Sequence, residues 1–311
     1  MTESAPDIKQ SIKSLATQLG FEACGFAHAG RINSEAERQY NQWLDEGKNG
    51  CMHWAENYQE LRNDPRELLP QAKTVIVLAL NYFPPRTMPP TAPQVAYYAY
   101  GADYHKVLKK KMKQLTKFIT DSTGEQCRSC VDSAPVRERY WAQQAGVGFV
   151  GRNNTIILPG KGSFFFLGLI LTTLEVVPDE PCRLSCGNCQ ACVNACPTGA
   201  VKPDDSVDAR RCLSCLTIEH HDELPQWVGD VIGNHLVGCD ECQLCCPHNR
   251  FAKPTTITEF HPSDALLSLT CEKVMSMTQQ EFDDTFGNSA IKRATLQTLK
   301  RTCALIQKNR V

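Results

Sequence analysis

At 311 residues with 42% hydrophobic side chains, the chain can bury a substantial core and form two or three domains, which excludes a small disulfide-stapled scaffold. A formal net charge of −1 provides no global attraction to nucleic acid. The opening MTESAPDIKQ lacks an export signal's basic-then-apolar layout, and the longest apolar run, residues 164–171, is too short to span a bilayer. A cytoplasmic, reducing compartment is therefore expected for the seventeen cysteines, where clustered thiols serve as metal ligands rather than disulfides.

Ile8, Ile12, Leu15 and Leu19 recur at helical spacing behind Ser4-Ala5-Pro6-Asp7 and stop at Gly20, which predicts a capped amphipathic helix. Residues 73–83 (KTVIVLALNYF) read as a buried strand, and the proline-rich residues 84–93 as a loop. Residues 105–117 (HKVLKKKMKQLTK) form a predicted helix with six lysines and no acid. Residues 147–177 read as strands separated by the turn Pro159-Gly160-Lys161-Gly162. Together these predict a mixed α/β domain over residues 1–180. From Pro181 cysteines arrive every three or four residues, marking a metal-stapled domain over 181–255. A helical segment, 256–311, follows, with Ile291, Ala294, Leu299 and Cys303 among the apolar positions of a basic final helix. Residues 288–311 hold six Lys or Arg and no acid. Both basic stretches can grip phosphates, although a solvated helix face is the commoner meaning of such a run.

The segment CGNCQACVNACPTGA has the spacing C-x2-C-x2-C-x3-C-P, with Cys186, Cys189, Cys192 and Cys196 as ligands. Three thiolates two residues apart wrap one face of a cubane, and the proline turns the fourth cysteine toward a second cluster. The downstream half supplies Cys212, Cys239, Cys242, Cys245 and Cys246. By the same crossing, one [4Fe-4S] cluster takes Cys186, Cys189, Cys192 and Cys246, and the other takes Cys196, Cys212, Cys239 and Cys242. Cys246 is preferred to Cys245 because it precedes Pro247 as Cys196 precedes Pro197. Cys182 and Cys215 are surplus, and Cys24, Cys51, Cys127, Cys130, Cys271 and Cys303 read as buried bystanders. Paired structural zinc sites are the alternative for C-x2-C pairs, but the triple run closed by Cys-Pro is an iron–sulfur spacing.

A ferredoxin needs only the cluster segment, so the preceding domain should hold an electron acceptor. No G-x-G-x-x-G loop follows the strand at 75–80, which gives a dinucleotide site no support. Asp103-Tyr104-His105 begins a corrinoid D-x-H-x-x-G motif but continues Lys-Val-Leu.

The chain resembles the epoxyqueuosine reductase family in many blocks taken in order. These are GKNGCMHWAENYQELRNDPRELLP from Gly47, YAYGADYHKVL from Tyr98, VDSAPVRER from Val131, GFVGRNN from Gly148, GSFFFLG from Gly162, the cysteine run, VDARRCLSCLTIE from Val207, GCDECQLCCPHNR from Gly238 and GNSAIKRA from Gly287. The resemblance implies an α/β (α+β) N-terminal cobalamin-binding domain of nitroreductase and reductive-dehalogenase type, then a bacterial-ferredoxin-like domain with two [4Fe-4S] clusters, then a short helical C-terminus. It implies base-off cobalamin, an external low-potential electron donor, no membrane, and a monomer acting on tRNA whose GUN-type anticodon carries epoxyqueuosine at the wobble position. The reaction is reduction of the epoxide to the cyclopentene of queuosine.

Carried over by the same resemblance, Asp132 is the proton donor, a carboxylic acid kept neutral near pH 7 by burial beside a corrin. Without the family it reads as an Asx-turn residue. Arg62, Tyr100, Asn153, Ser163 and Ser214 are cobalamin contacts, and Arg152, Lys292, Arg293, Lys300 and Arg301 are tRNA contacts. Cys215 stands where relatives commonly have tyrosine, and His248 where they have tryptophan. Many relatives continue into a helical-repeat domain past the position of Val311, so a smaller grip on tRNA is expected. A corrinoid reductive dehalogenase and an electron-transfer carrier are the rival readings; the missing export signal and the basic segments weigh against the first.

Overall fold

The computed structural model describes residues 7–308, so Ser4, Ala5 and Pro6 of the expected first cap and Arg310 of the basic tail lie outside the described residues. Asp7 caps the helix Ile8–Gln18 with its own carboxylate, which accepts the Lys9 N–H at 3.0 Å. Eight strands follow: β1 (Ala23–His28), β2 (Thr74–Asn81), β3 (Gln94–Val95), β4 (Cys127–Cys130), β5 (Phe149–Val150), β6 (Ile156–Ile157), β7 (Phe165–Thr172) and β8 (His235–Val237). The main sheet is antiparallel in the order β1-β2-β7-β4.

Every residue of β2 and of β7 is buried, because both strands are central and both sheet faces are covered. Alternation then sorts their side chains. Val75, Val77, Leu169 and Leu171 pack with Trp141 and Ala142 of the helix Glu138–Gln144. Ile76, Leu78, Phe166 and Ile170 pack with Ile12 and with Leu108, Met112, Leu115 and Ile119 of the helix Tyr104–Thr123. That second helix turns its apolar stripe inward, so its lysines lie on the solvent side, where Lys117 pairs with Asp121 and Lys106 donates to Asn288.

A third core joins distant parts of the chain. Met88, Val95 and Tyr100 pack with Leu213, Leu216, Leu236 and Val237 and with Leu299, Cys303 and Ile306. β3 and β8 pair in parallel across the same region. The cysteine-rich segment is thereby wedged between the main sheet and the C-terminal helices, and packing crosses the positions 180 and 255. Among the described residues no helix is long and apolar enough to cross a membrane.

The C-terminal helix is shorter than its apolar pattern predicts. Ile291 and Ala294 lie on a separate 3-10 turn, Ala290–Ala294, and the helix proper is Leu296–Lys308. Thr295 interrupts them with φ of 54°, and its hydroxyl accepts the Thr298 N–H at 3.3 Å.

The edge strand β1 tolerates no side chain at Gly25, where an added Cβ would sit 2.1 Å from the Ala145 carbonyl oxygen and 2.8 Å from Val147 Cγ2. Gly25→Ala is expected to destabilise the fold by about 1–3 kcal/mol through overpacking. Gly30→Ala, with nothing within 4 Å of the new methyl, should stay within about 0.5 kcal/mol of the parent in urea unfolding.

Candidate functional site

The thiols fall into two neighbourhoods. Cys186, Cys189, Cys192 and Cys246 line one small cavity, which Arg152, Ile157 and His248 help to close. Burial raises the Cys192 and Cys246 thiols, and charges on the other members of this group raise both further. In the second neighbourhood burial raises Cys242, and Cys239, Cys212 and Cys196 add to the effect. Mutual repulsion of this kind, from anionic thiolates gathered without a countercharge, is the electrostatic signature of a cation or cluster site. Burial also pushes Cys196 up, but amides of Val201, Thr198 and Ala200 outweigh it and its thiol ends below the ordinary value. The Ala200 N–H lies 3.2 Å from Cys196 Sγ. Cys245 is not among the residues lining the first cavity and its Sγ lies 3.6 Å from the Cys242 carbonyl oxygen, although burial and the charges of Cys192 and Cys246 push its thiol up to about 11.

The donor chemistry of the two sets fits cubanes. Each offers four thiols, one per iron, and no other ligand type is needed.

Several residues expected at other sites turn out to brace this region. The Arg152 guanidinium, with only 10% of its side chain exposed, donates to the carbonyls of Cys189 and Gly187 and pairs with Asp205, while its backbone N–H reaches Cys186 Sγ at 3.4 Å. Asn153 donates to the Cys242 carbonyl at 2.9 Å. Ser163 is buried in a network with Asn249 and Gln243. Tyr100 lies in the third core, its hydroxyl accepting the Met88 N–H at 3.2 Å. Arg62 donates to the carbonyls of Asn57 and Trp54. Of the five expected cobalamin contacts, only Arg62 and Ser214 keep partly exposed side chains. His248 lines the first cavity and meets Phe149 edge-on, and Cys215 Sγ lies 3.4 Å from Cys51 Sγ.

The expected tRNA set is likewise dispersed. Arg301 fastens helix Leu213–Ile218 by donating to the carbonyls of Leu216 and His220. Arg293 sits on the 3-10 turn and grips Glu219 with two hydrogen bonds. Its charge also lowers the Asp132 carboxyl, as the last of the causes, while 58% of its side chain stays exposed. Lys292 is exposed and Lys300 half-buried.

Asp132 occupies the turn after β4 with φ of 42°, a left-handed value that is sparsely populated for a non-glycine residue. Its N–H donates to Glu138 Oε1 at 2.7 Å, which holds the turn. Oδ2 accepts the Tyr104 hydroxyl at 2.8 Å and lies 3.0 Å from His105 Nε2. His105 Nδ1 in turn lies 2.7 Å from Asp103 Oδ1. Two acceptors facing two ring nitrogens favour the doubly protonated imidazolium, and the Asp132 hydrogen bond and then Asp103 hold His105 above its ordinary value despite burial. For Asp132, burial acts upward, but His105, Tyr104 and Arg293 outweigh it and its carboxyl is held below the usual range. The expectation of a neutral, buried acid therefore changes: 57% of this side chain is exposed, and the dyad keeps its proton on the imidazole. Burial, then the Asp132 charge, pushes Glu138 up to about 8. Tyr104 stacks on buried Phe166 at 4.3 Å and on His105 at 4.1 Å between centroids, which fixes its ring beside the carboxylate.

Sequence reasoning missed Tyr104, His105 and Glu138. Asp103-Tyr104-His105 registered only as an incomplete corrinoid motif, and Glu138 lay unremarked six residues after Asp132.

Residues 62–133 match the family model described as epoxyqueuosine reductase QueG, DUF1730, and residues 185–249 match a 4Fe-4S double cluster binding domain. An epoxyqueuosine reductase from Leadbetterella byssophila is 40% identical over 302 residues, covering 97% of this chain and 99% of that one. The chain belongs to the epoxyqueuosine reductase family. It is thus an oxidoreductase of the family its motifs resembled. A solved epoxyqueuosine reductase with an epoxyqueuosine-modified tRNA-Tyr stem loop superposes with a TM-score of 0.87 at 29% identity, over 96% of this chain and 80% of that one. A Bacillus subtilis epoxyqueuosine reductase, its catalytic aspartate loop swung out of the active site, gives 0.87 at 28% identity over 96% and 80%.

Of the two adjacent cysteines of this family member, Cys246 lines the first cavity and Cys245 does not. Cys246→Ser is expected to lower bound iron by about half and to weaken the broad visible absorbance, because one cubane loses a ligand. Cys245→Ser should leave both unchanged; equal losses from the two variants would contradict this assignment.

Proposed function

We propose that the protein reduces epoxyqueuosine to queuosine at the wobble position of tRNA with a GUN-type anticodon, using electrons passed from an external low-potential donor through two [4Fe-4S] clusters to a cobalamin. The observation that carries this reading is the Asp132 site: an accessible carboxylate hydrogen-bonded to Tyr104 and His105, in a chain that also gathers two groups of thiols. The family and the relative solved with its modified tRNA stem loop support the substrate.

In this proposal residues 1–180 hold the cobalamin, 181–255 the clusters, and the segment 256–311 supplies tRNA contacts, among them Lys292 and Lys300. Cys186, Cys189, Cys192 and Cys246 bind one cluster, and Cys196, Cys212, Cys239 and Cys242 the other. Of the expected cobalamin contacts, Arg62 and Ser214 keep side chains accessible to the polar rim of a corrin. His105 is held by two carboxylates and is not available as a cobalt ligand, which suits a base-off, histidine-free cofactor. Bound cobalamin supplies a strongly reducing centre for the epoxide.

What the protein adds is protonation. Converting an epoxide to an alkene takes two electrons and two protons and releases water. The epoxide oxygen leaves as water only if it is protonated, and Asp132 is the group placed to do this. Arg293, anchored on Glu219, contributes positive charge felt at Asp132, of the sign that favours negative charge developing on oxygen.

Reconstituted protein, cobalamin, a strong reductant and epoxyqueuosine-containing tRNA are expected to yield queuosine, lighter by one oxygen on nucleoside mass analysis. Unchanged epoxide with intact clusters and bound cobalamin would refute the reading. Asp132→Asn should lower kcat by about 10²–10⁴-fold with clusters retained.

A further inference from the structure

The reduction consumes two protons per turnover, whereas a carboxyl group delivers one and must then be refilled. Asp132 is not open to solvent on all sides. Its Oδ2 is the atom engaged by Tyr104 and His105, and its backbone is latched to Glu138. His105 continues the chain of polar contacts: Nε2 lies 3.0 Å from Asp132, Nδ1 lies 2.7 Å from Asp103, and 29% of the side chain remains exposed. Asp103 is fixed in turn, because the same Oδ1 accepts the His105 backbone N–H at 3.0 Å and caps the helix Tyr104–Thr123. A helix cap and a rotamer lock thus coincide on one carboxylate.

We infer that Asp103, His105 and Asp132 form a proton relay in which His105 acts through Asp132, recharging it from solvent for each of the two protonations, with Asp103 as the orienting group. This inference rests on the proposed reduction. In the first protonation the proton on His105 Nε2 passes to Asp132 Oδ2 and from there to the epoxide oxygen, as one C–O bond breaks and that carbon receives the electron pair drawn from the external donor. His105 then regains a proton from solvent. In the second, a proton travels the same route to the resulting hydroxyl, the other C–O bond breaks, water leaves, and the electron pair closes the carbon–carbon double bond.

The groups facing this relay set its pH dependence. Asp103 and Tyr104 come from its own helix segment, Asp132 from the turn after β4, Glu138 and Arg139 from the helix Glu138–Gln144, Arg293 from the 3-10 turn, and Tyr98 from the turn before the helix. Glu138, raised to about 8, is mostly neutral at pH 7 and adds little fixed negative charge there. His105 is raised and Asp132 lowered, so the imidazolium–carboxylate pair persists across the interval between them and is lost as pH rises through the His105 value. The rate should therefore fall on the alkaline side.

The test compares wild type with His105→Gln, His105→Ala and Asp103→Asn, all carrying clusters and cobalamin. A glutamine amide can still donate to Asp132 but passes no proton. His105→Gln is expected to lose about 10²-fold in kcat with KM for tRNA unchanged, and to lose the alkaline fall that wild type displays. Added imidazole should partly restore His105→Ala, and Asp103→Asn should move the alkaline fall to lower pH. In cobalamin-free protein, NMR of labelled histidine should find His105 titrating above the ordinary value and moving down in Asp103→Asn and in Asp132→Asn. The relay is overturned if His105→Gln keeps the wild-type kcat and pH profile, if imidazole fails to restore His105→Ala that retains its clusters, or if His105 titrates at its ordinary value. Failure of wild type to convert the epoxide would instead strike the proposed reduction, and the NMR titration would still decide the relay.

Discussion

Eight thiols drawn from positions as far apart as 186 and 246 are gathered into two compact sets, and much of the molecule is shaped by that requirement. A run such as residues 186–196 can wrap three thiols around one centre by itself, but the fourth must arrive from elsewhere. The parallel pairing of β3 with β8 and the third core bring it. Leu213 and Leu216, one and four residues past Cys212, pack against Tyr100, and Val237, two residues before Cys239, lies in the same core. Apolar burial therefore positions the second thiol neighbourhood, and Arg152 and Asn153 tie the backbone of both to the β5–β6 region.

The same packing settles how the Asp132 site is charged. The β4 turn that carries Asp132 stands against the start of the helix Tyr104–Thr123, so the first residues of that helix, rather than an apolar pocket alone, become its surroundings. Hydrogen bonds to a carboxylate favour its ionised form, and here they outweigh desolvation. A donor built in this way holds its proton one atom away, on an imidazole, and stays wetted where substrate must enter. Glu138 shows the opposite balance, with burial dominant and its acidity weakened.

Much of this was legible in the sequence. The cysteine spacing marked the double-cluster segment that the family model matches over residues 185–249, and Cys246, singled out by its following proline, is the one of the adjacent pair that lines the first cavity. The unbroken apolar runs at 73–83 and 164–171 marked the two central strands. Side-chain roles of arginines were not legible. Arg152 and Arg301 look like phosphate ligands in a basic context, yet both donate to backbone carbonyls, since orphan carbonyls at loop and helix ends compete for the same guanidinium donors. His105 escaped notice because its meaning depends on two carboxylates, one of them twenty-seven residues away. Thr295 broke the final helix where periodicity continued unbroken, a backbone preference that apolar spacing does not encode.

The central claim is that this chain turns the epoxide of epoxyqueuosine into an alkene within tRNA. Its most direct measurement is nucleoside analysis of tRNA from cells that accumulate epoxyqueuosine because they lack any reductase for it, after this chain alone is expressed in them with cobalamin supplied. The account predicts that queuosine appears and epoxyqueuosine falls in tRNAs with GUN anticodons, and that the Asp132→Asn chain leaves the epoxide in place. Persistence of epoxyqueuosine with the wild-type chain present, folded and carrying its clusters would contradict it.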